Sequence, residues 1–247
     1  MNNKPLLFII IICFSFFSCS SDDDVTVPRT LAEFIAVSSY QSENEVIACA
    51  ASKSGDDNTS YIFYYPIPDA TEIRYFETSS IDDDKNDFSL YNEKKLDSES
   101  IFNGYLGRFV RNSSTESWCI VTYKSNGKFH KSNPIKLKNQ TLPTEWTDSV
   151  SIDESASLEP KFTWEDGAIK ENTIYFQVVT NSDNDLLSGT YTYDKWFQYY
   201  DLSNVVLNVT RETPPALVLD NEYNFTMMGV SEDNWVNLVI QKTFTAK

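Results

Sequence analysis

From residue 33 onward the chain returns again and again to short runs of alternating large apolar and polar side chains, each closed by a turn signal. In residues 72–78, for example, Ile73, Tyr75 and Glu77 alternate with Arg74, Phe76 and Thr78. A period of two places successive side chains on opposite faces of an extended strand, and runs this short do not complete a helix. Comparable runs cover 45–51, 60–65, 102–110, 118–124 and 129–138, then 161–164, 173–180, 189–193, 204–210, 223–230 and 235–245. Ser125-Asn126-Gly127-Lys128 is a hairpin turn signal, and Ser231-Glu232-Asp233-Asn234 joins the last two runs. Short strands at this spacing predict an all-β chain built of antiparallel β-sandwiches. Aromatic residues make up 14% of the chain and there are only 7 glycines, which suits strands with packed aromatic faces and leaves no glycine-rich phosphate loop.

A polar stretch at 139–146, containing Pro143, reads as a linker. It divides the chain into two tandem sandwiches, 33–140 and 141–247, each near the usual size of a domain. At the N-terminus, Lys4 precedes an apolar run over residues 6–17. That run is too short to span a bilayer and has the length of a secretory signal core. The small residue in Ser18-Cys19 resembles the lipobox of bacterial lipoproteins, with Phe16 where that family favours Leu. The resemblance implies a signal peptide over 1–18, acylation of Cys19 and a flexible acidic tether over 19–32. Two or more acyl chains, at about 0.8 kcal/mol per buried methylene, make such an anchor effectively permanent. Ser20-Ser21-Asp22-Asp23-Asp24 resembles the acidic stretch that directs some Gram-negative lipoproteins to the cell exterior. The expected location is the outer membrane, lipid-anchored and facing outward.

The chain carries 36 Asp plus Glu against 20 Lys plus Arg, a formal charge of −16. Such a surface repels phosphate backbones, so nucleic acid is not an expected partner. The one histidine, His130, has no thiolate cluster or nucleophile motif beside it and reads as an exposed strand residue. No residue set forms a catalytic constellation. One metal-like spacing remains: Asp82, Asp84, Asn86 and Glu93 occupy positions 1, 3, 5 and 12 of an EF-hand-like calcium loop, although Asp87 stands where that loop needs glycine. No other cofactor is expected.

Leu217, Tyr223 and Phe225 resemble the E–F corner of fibronectin type III domains, in which a Leu caps the core and a Tyr hydroxyl bonds back to the chain. Trp164 is similar to that family's early-strand Trp. In the first half, residues 118–123 with Ser125-Asn126-Gly127 resemble the F strand and F–G turn, with Trp118 where Tyr is usual. The resemblance implies two fibronectin type III or immunoglobulin-like sandwiches. It also suggests an inter-sheet disulfide between Cys49 and Cys119, worth about 4 kcal/mol by chain entropy. Two buried free thiols are the alternative.

The stretch from Tyr191 to Tyr200 holds six aromatics in ten residues, more than one strand face can bury. Tyr193, Trp196, Tyr199 and Tyr200 are therefore candidates for stacking on a glycan or anchoring a protein ligand. Together these readings predict a non-catalytic surface lipoprotein that binds glycan or protein. A structural subunit or spacer of an outer-membrane complex comes second, and a hydrolase last.

Overall fold

The computed structural model describes residues 28–38 and 46–247. The expected signal peptide, Cys19 and the acidic run after it lie outside the described residues. A short helix, α1 (Leu31–Val37), opens with a capping box in which the Thr30 side chain accepts from the Glu33 amide and Glu33 reaches back to the Thr30 amide. The first group of strands is β1 (Ala48–Lys53), β2 (Asp56–Tyr64), β3 (Thr71–Glu77), β4 (Asn92–Lys94), β5 (Ser98–Ile101), β6 (Leu106–Asn112), β7 (Trp118–Ser125), β8 (Lys128–Lys131) and β9 (Ile135–Lys136). The second is β10 (Glu145–Thr147), β11 (Ser151–Asp153), β12 (Lys161–Thr163), β13 (Ile174–Asn181), β14 (Leu186–Thr192), β15 (Trp196–Gln198), β16 (Val205–Asn208), β17 (Glu222–Val230) and β18 (Val236–Thr245).

The first group forms two sheets, β1-β2-β6-β5 and β4-β3-β7-β8, with β9 also on β7. The second forms β11-β12-β15 and β10-β18-β17-β13-β14-β16. All these strand pairs are antiparallel except β10 with β18. The chain is therefore all-β and consists of two antiparallel sandwiches. The expected hairpin at Asn126-Gly127 forms with both residues at positive φ (51° and 74°), joining β7 to β8 as a right-twisted ladder requires. The corner is also present: Leu217 is buried, and the Val218 amide donates to the Tyr223 hydroxyl at 2.9 Å. Replacing Tyr223 by Phe removes that bond and leaves the ring in place. The expected loss is about 1 kcal/mol of unfolding free energy, measurable by urea titration.

The two sandwiches are stacked face to face. Alternation along β1 and β2 sends Ala50, Ile62 and Tyr64 into the first sandwich's core, beside Tyr75, Cys119 and Val121. The same alternation sends Ala51 and Phe63 the other way, against Phe176, Val178, Met228 and Val239 of the second. β13, β17 and β18 divide their side chains in the same manner: Tyr175, Phe225, Met227 and Ile240 pack on Phe162 and Phe197 in the second sandwich's own core. The two central sheets are thus apolar on both faces. Each side chain fully buried between them contributes about 1.5–3 kcal/mol of transfer free energy. The outermost face of β3, β7 and β8 is capped by α1, whose Leu31, Phe34 and Ile35 cover Phe76, Ile120 and Phe129.

Several sequence expectations are corrected by the structure. Residues 139–146 do not behave as a loose linker. Asn139 and Thr144 are buried, β10 joins the second sandwich's main sheet, and the Trp146 indole donates to the Ser52 carbonyl at 3.0 Å. Ser52 and Thr144 exchange side chain-to-amide bonds, and Thr144 donates onward to the Val236 carbonyl. The end of the expected tether is also ordered: Thr30 bridges Asn92, and Leu31 is fully buried. The run at 102–110 divides, because Phe102, Asn103 and Gly104 take positive φ and turn β5 back into β6. His130 is buried (5% exposed), its ring 5.3 Å from that of Tyr123. On β8 the register sets His130 opposite Tyr123, on the face turned to the first sandwich's core, while Phe129 faces α1.

Candidate functional site

The residues singled out for binding and metal chemistry are dispersed by the fold. Of the aromatic stretch, Tyr199 is fully buried, and its hydroxyl donates to the Pro215 carbonyl at 2.8 Å, so it cannot meet a ligand. Tyr191 and Phe197 are buried in different cores. The stretch is shared between two sheets, Tyr191 on β14 and Phe197 on β15, so two cores take part of it and the remainder faces outward as expected. Tyr193 is 68% exposed and Tyr200 lies at the margin of exposure. Trp196 is half-buried with the Lys161 ammonium 4.2 Å over its ring. Tyr200 packs edge-on against the buried Tyr199 ring at 4.8 Å.

The acidic loop does not gather into a cation site. Asp84 accepts from the Asn86 amide, Asp83 caps Ser79 and Ser80, and Glu93 pairs with Arg74 at 2.7 Å on β4. Its carboxylates serve local turns and a strand ion pair. Among the described residues, no group of three or more His, Cys, Asp or Glu side chains could hold a metal ion.

Cys49 and Cys119 are both free. Cys119 faces the first sandwich's core and Cys49 faces the second sandwich, one strand face apart. Ala50, not Cys49, occupies the inward position that a disulfide to Cys119 would need. Part of Cys49 reaches the surface, yet its apolar surroundings push the thiol up to about 12, and burial pushes Cys119 higher still. Neither is a reactive thiolate at neutral pH. The most enclosed carboxylate of the second sandwich, Asp166, is likewise committed. Burial opposes its charge, but Lys195 at 2.7 Å, Asn172 and Tyr175 together hold its pKa below the ordinary carboxylate value.

A concave site does exist at a place that no local sequence signal marks. It is a half-open groove of about 430 Å³ at one rim of the contact between the sandwiches. That size falls within the roughly 300–1,000 Å³ of small-molecule sites, which favour junctions of this kind. From the first sandwich come Tyr61 and Phe63 on β2, the β5–β6 turn with Phe102 and Asn103, and Arg108 on β6. The second sandwich supplies Asp183 and Asn184 from the β13–β14 turn and Met228 and Gln241 from its main sheet. Trp146, on the connecting segment, closes one wall.

Local chemistry fixes each wall. The Arg108 guanidinium lies 4.4 Å over the Tyr61 ring and pairs with Glu99 at 2.7 Å, so its charge is already balanced. Next to Arg108, Gly107 is required: a Cβ there would collide with the Tyr64 ring. The Asp183-Asn184 turn is held by the Asn181 side chain, which accepts from the amides of Asp183 and Asp185 at 3.0 and 2.8 Å, with Asn184 at positive φ. The arrangement offers aromatic surface, neutral amides and one free carboxylate. Nothing in it resembles a nucleophile with a base, or two carboxylates set across a scissile bond.

No family model and no curated protein matches the chain. Among solved structures, a two-domain fibronectin type III segment of chicken tenascin aligns with 82% of this chain and 98% of its own, at 12% identity and a TM-score of 0.25. The chicken CNTN1 FN1-FN3 domains align with 84% of this chain and 68% of theirs, at 12% identity and a TM-score of 0.30. The glycoside hydrolase domain of Endo-D from Streptococcus pneumoniae aligns with 81% of this chain and 33% of its own, at 9% identity and a TM-score of 0.32. The class of the protein, a pair of fibronectin type III-like sandwiches, rests on the strand orders, the hairpin and the tyrosine corner described above. Fold of this kind does not by itself fix function.

Proposed function

We propose that this chain is a non-catalytic lipoprotein, anchored through acylated Cys19 in the outer membrane and displaying a recognition unit to the cell exterior. The observation that carries the recognition reading is the groove: an open, mixed aromatic and polar cavity that both sandwiches must build together. The anchoring part rests on the sequence, on the apolar run over residues 6–17 followed by Ser18-Cys19 and three consecutive Asp. Glycan or protein ligands at the surface are the partners that fit, and the acidic surface disfavours nucleic acid. The stacked sandwiches lie side by side in the fold and do not extend end to end, which suits a compact receptor better than a spacer.

The anchor has a direct test. In cells given a radiolabelled fatty acid, the wild-type chain is expected to take up label and to fractionate with the outer membrane. Globomycin is expected to block processing. Cys19→Ala should abolish the label and release the chain from the membrane fraction. Retained label in that variant would refute acylation at Cys19. Protease added to intact cells reports the face: digestion of the chain is expected, and full protection would place it inside.

A further inference from the structure

Resting on the reading of this chain as a surface recognition protein, we propose that the groove between the sandwiches binds a neutral saccharide of one or two rings. The walls dictate the chemistry. The Trp146 indole N–H is engaged by the Ser52 carbonyl, so what the residue gives the groove is apolar ring surface. Phe102, carried on the tight β5–β6 turn, adds a second aromatic surface. Sugar rings present C–H faces that pack on such surfaces, and their hydroxyls demand hydrogen bonds around the ring edge.

Those hydrogen-bonding groups are present and unspent. Among the described residues, the side chains of Asn103, Asp183, Asn184 and Gln241 make no hydrogen bond or ion pair within the protein, and all four line the groove. Between them they offer amide donors, amide acceptors and a carboxylate acceptor, the set that a ring of vicinal hydroxyls can satisfy. An apolar ligand would cover these groups without pairing them, at a cost. An anionic one would find Arg108 already neutralised by Glu99, with Asp183 unpaired beside it and a chain charge of −16 around it. An extended peptide pairs along a strand edge; the edge strands β5 and β10 reach this groove only through Ser100, Ile101 and Trp146, and the interior strands β2, β6, β17 and β18 present their side-chain faces.

The turns also make the site preorganised. Asn181 locks the Asp183-Asn184 turn from within, and positive φ at Phe102, Asn103 and Gly104 fixes the opposite one. Little ordering is then left to occur on binding.

The test uses the full chain, purified in detergent, on a printed array of neutral and acidic oligosaccharides, followed by calorimetric titration with the strongest neutral one. Binding of a neutral saccharide is expected. Asp183→Ala, which removes an exposed acceptor, should weaken it about tenfold. Gln241→Trp, an exposed strand position where an aromatic is well tolerated, should fill the groove and abolish it. Melting temperatures should not change, and Trp196→Ala should leave affinity intact. Binding that survives both groove variants, or that falls with Trp196→Ala, would overturn the groove assignment while leaving surface recognition standing. Binding confined to acidic saccharides, or none across the array, would overturn the ligand class. Surface recognition itself would then be judged by crosslinking on intact cells, and recovery of no partner there would sink it.

Discussion

Replacing Trp235 by Ala is expected to destabilise the whole chain by about 3–5 kcal/mol, the range for deleting a large buried aromatic. The position belongs to the second sandwich, just before β18, yet its side chain is fully buried in the core of the first, beside Ala50, Tyr75 and Val121. Its indole donates to the Leu142 carbonyl at 2.9 Å, and Ala50 bridges its backbone. Truncation therefore opens a cavity in one sandwich from a residue carried by the other. With Ala51, Phe63 and Leu106 packed on Phe176, Met228 and Val239 across the contact, the two are expected to unfold as one unit. Urea titration followed by circular dichroism and by tryptophan fluorescence should give coincident transitions for the wild type. The variant's midpoint should fall with its slope unchanged. Two separate transitions, or a loss under about 1 kcal/mol, would disprove this coupling. Trp196→Ala is the control, since that half-buried ring sits on an outer face.

The same contact explains what could be read from the sequence and what could not. Alternation, turn residues and the Leu217/Tyr223 corner are local, and each is legible because its physics involves neighbours a few residues away. Stacking is not local. Tyr61, Phe63 and Tyr65 alternate onto one face of their segment, and that face is covered by the second sandwich, whose Phe176 and Met228 lie more than a hundred residues further along the chain. The dense aromatics of 191–200 are partly solvent-facing, as their number predicts, through Tyr193 and Tyr200, but which of them two separate cores take up, Tyr191 in one and Phe197 and Tyr199 in the other, is set by the stacking. Of the two states open to Cys49 and Cys119, disulfide or free thiols, strand parity decides for the second. A one-residue offset on β1 turns Cys49 to the opposite face from Ala50. The groove was invisible for the same reason. Its residues come from segments around 61, 103, 146, 183 and 241, and no motif spans them. The nearest available sign was the pair of turns at Asn103-Gly104 and Asn184, places where exposed polar side chains are held rigidly.

Arg111→Met is expected to cost about 3–5 kcal/mol, as removal of one partner from a buried ion pair does. Arg111 is 3% exposed, and its Nε donates to Glu77 at 2.7 Å. Its remaining nitrogens donate to the carbonyls of Ser113 and Thr115 at 3.2 and 2.8 Å, holding the segment between β6 and β7. Glu77 in turn accepts from the Tyr75 hydroxyl at 2.7 Å, in the core that contains Cys119. With Arg111 gone, a carboxylate with only 15% of its side chain exposed loses its cation, the Thr115 carbonyl loses its side-chain donor, and the Ser113 carbonyl keeps only that from Asn139. The penalty arises from the orphaned groups more than from the pair itself. It follows that Arg111→Met combined with Glu77→Leu should recover much of the loss, because no buried charge remains to be desolvated. Urea midpoints of the two single variants and the double variant decide the matter. A double variant no more stable than Arg111→Met alone would mean that the carbonyl contacts to Ser113 and Thr115, and not the Glu77 charge, are what Arg111 supports. Tyr75 would then retain its packing in either background, because its ring lies in the core and only its hydroxyl depends on Glu77.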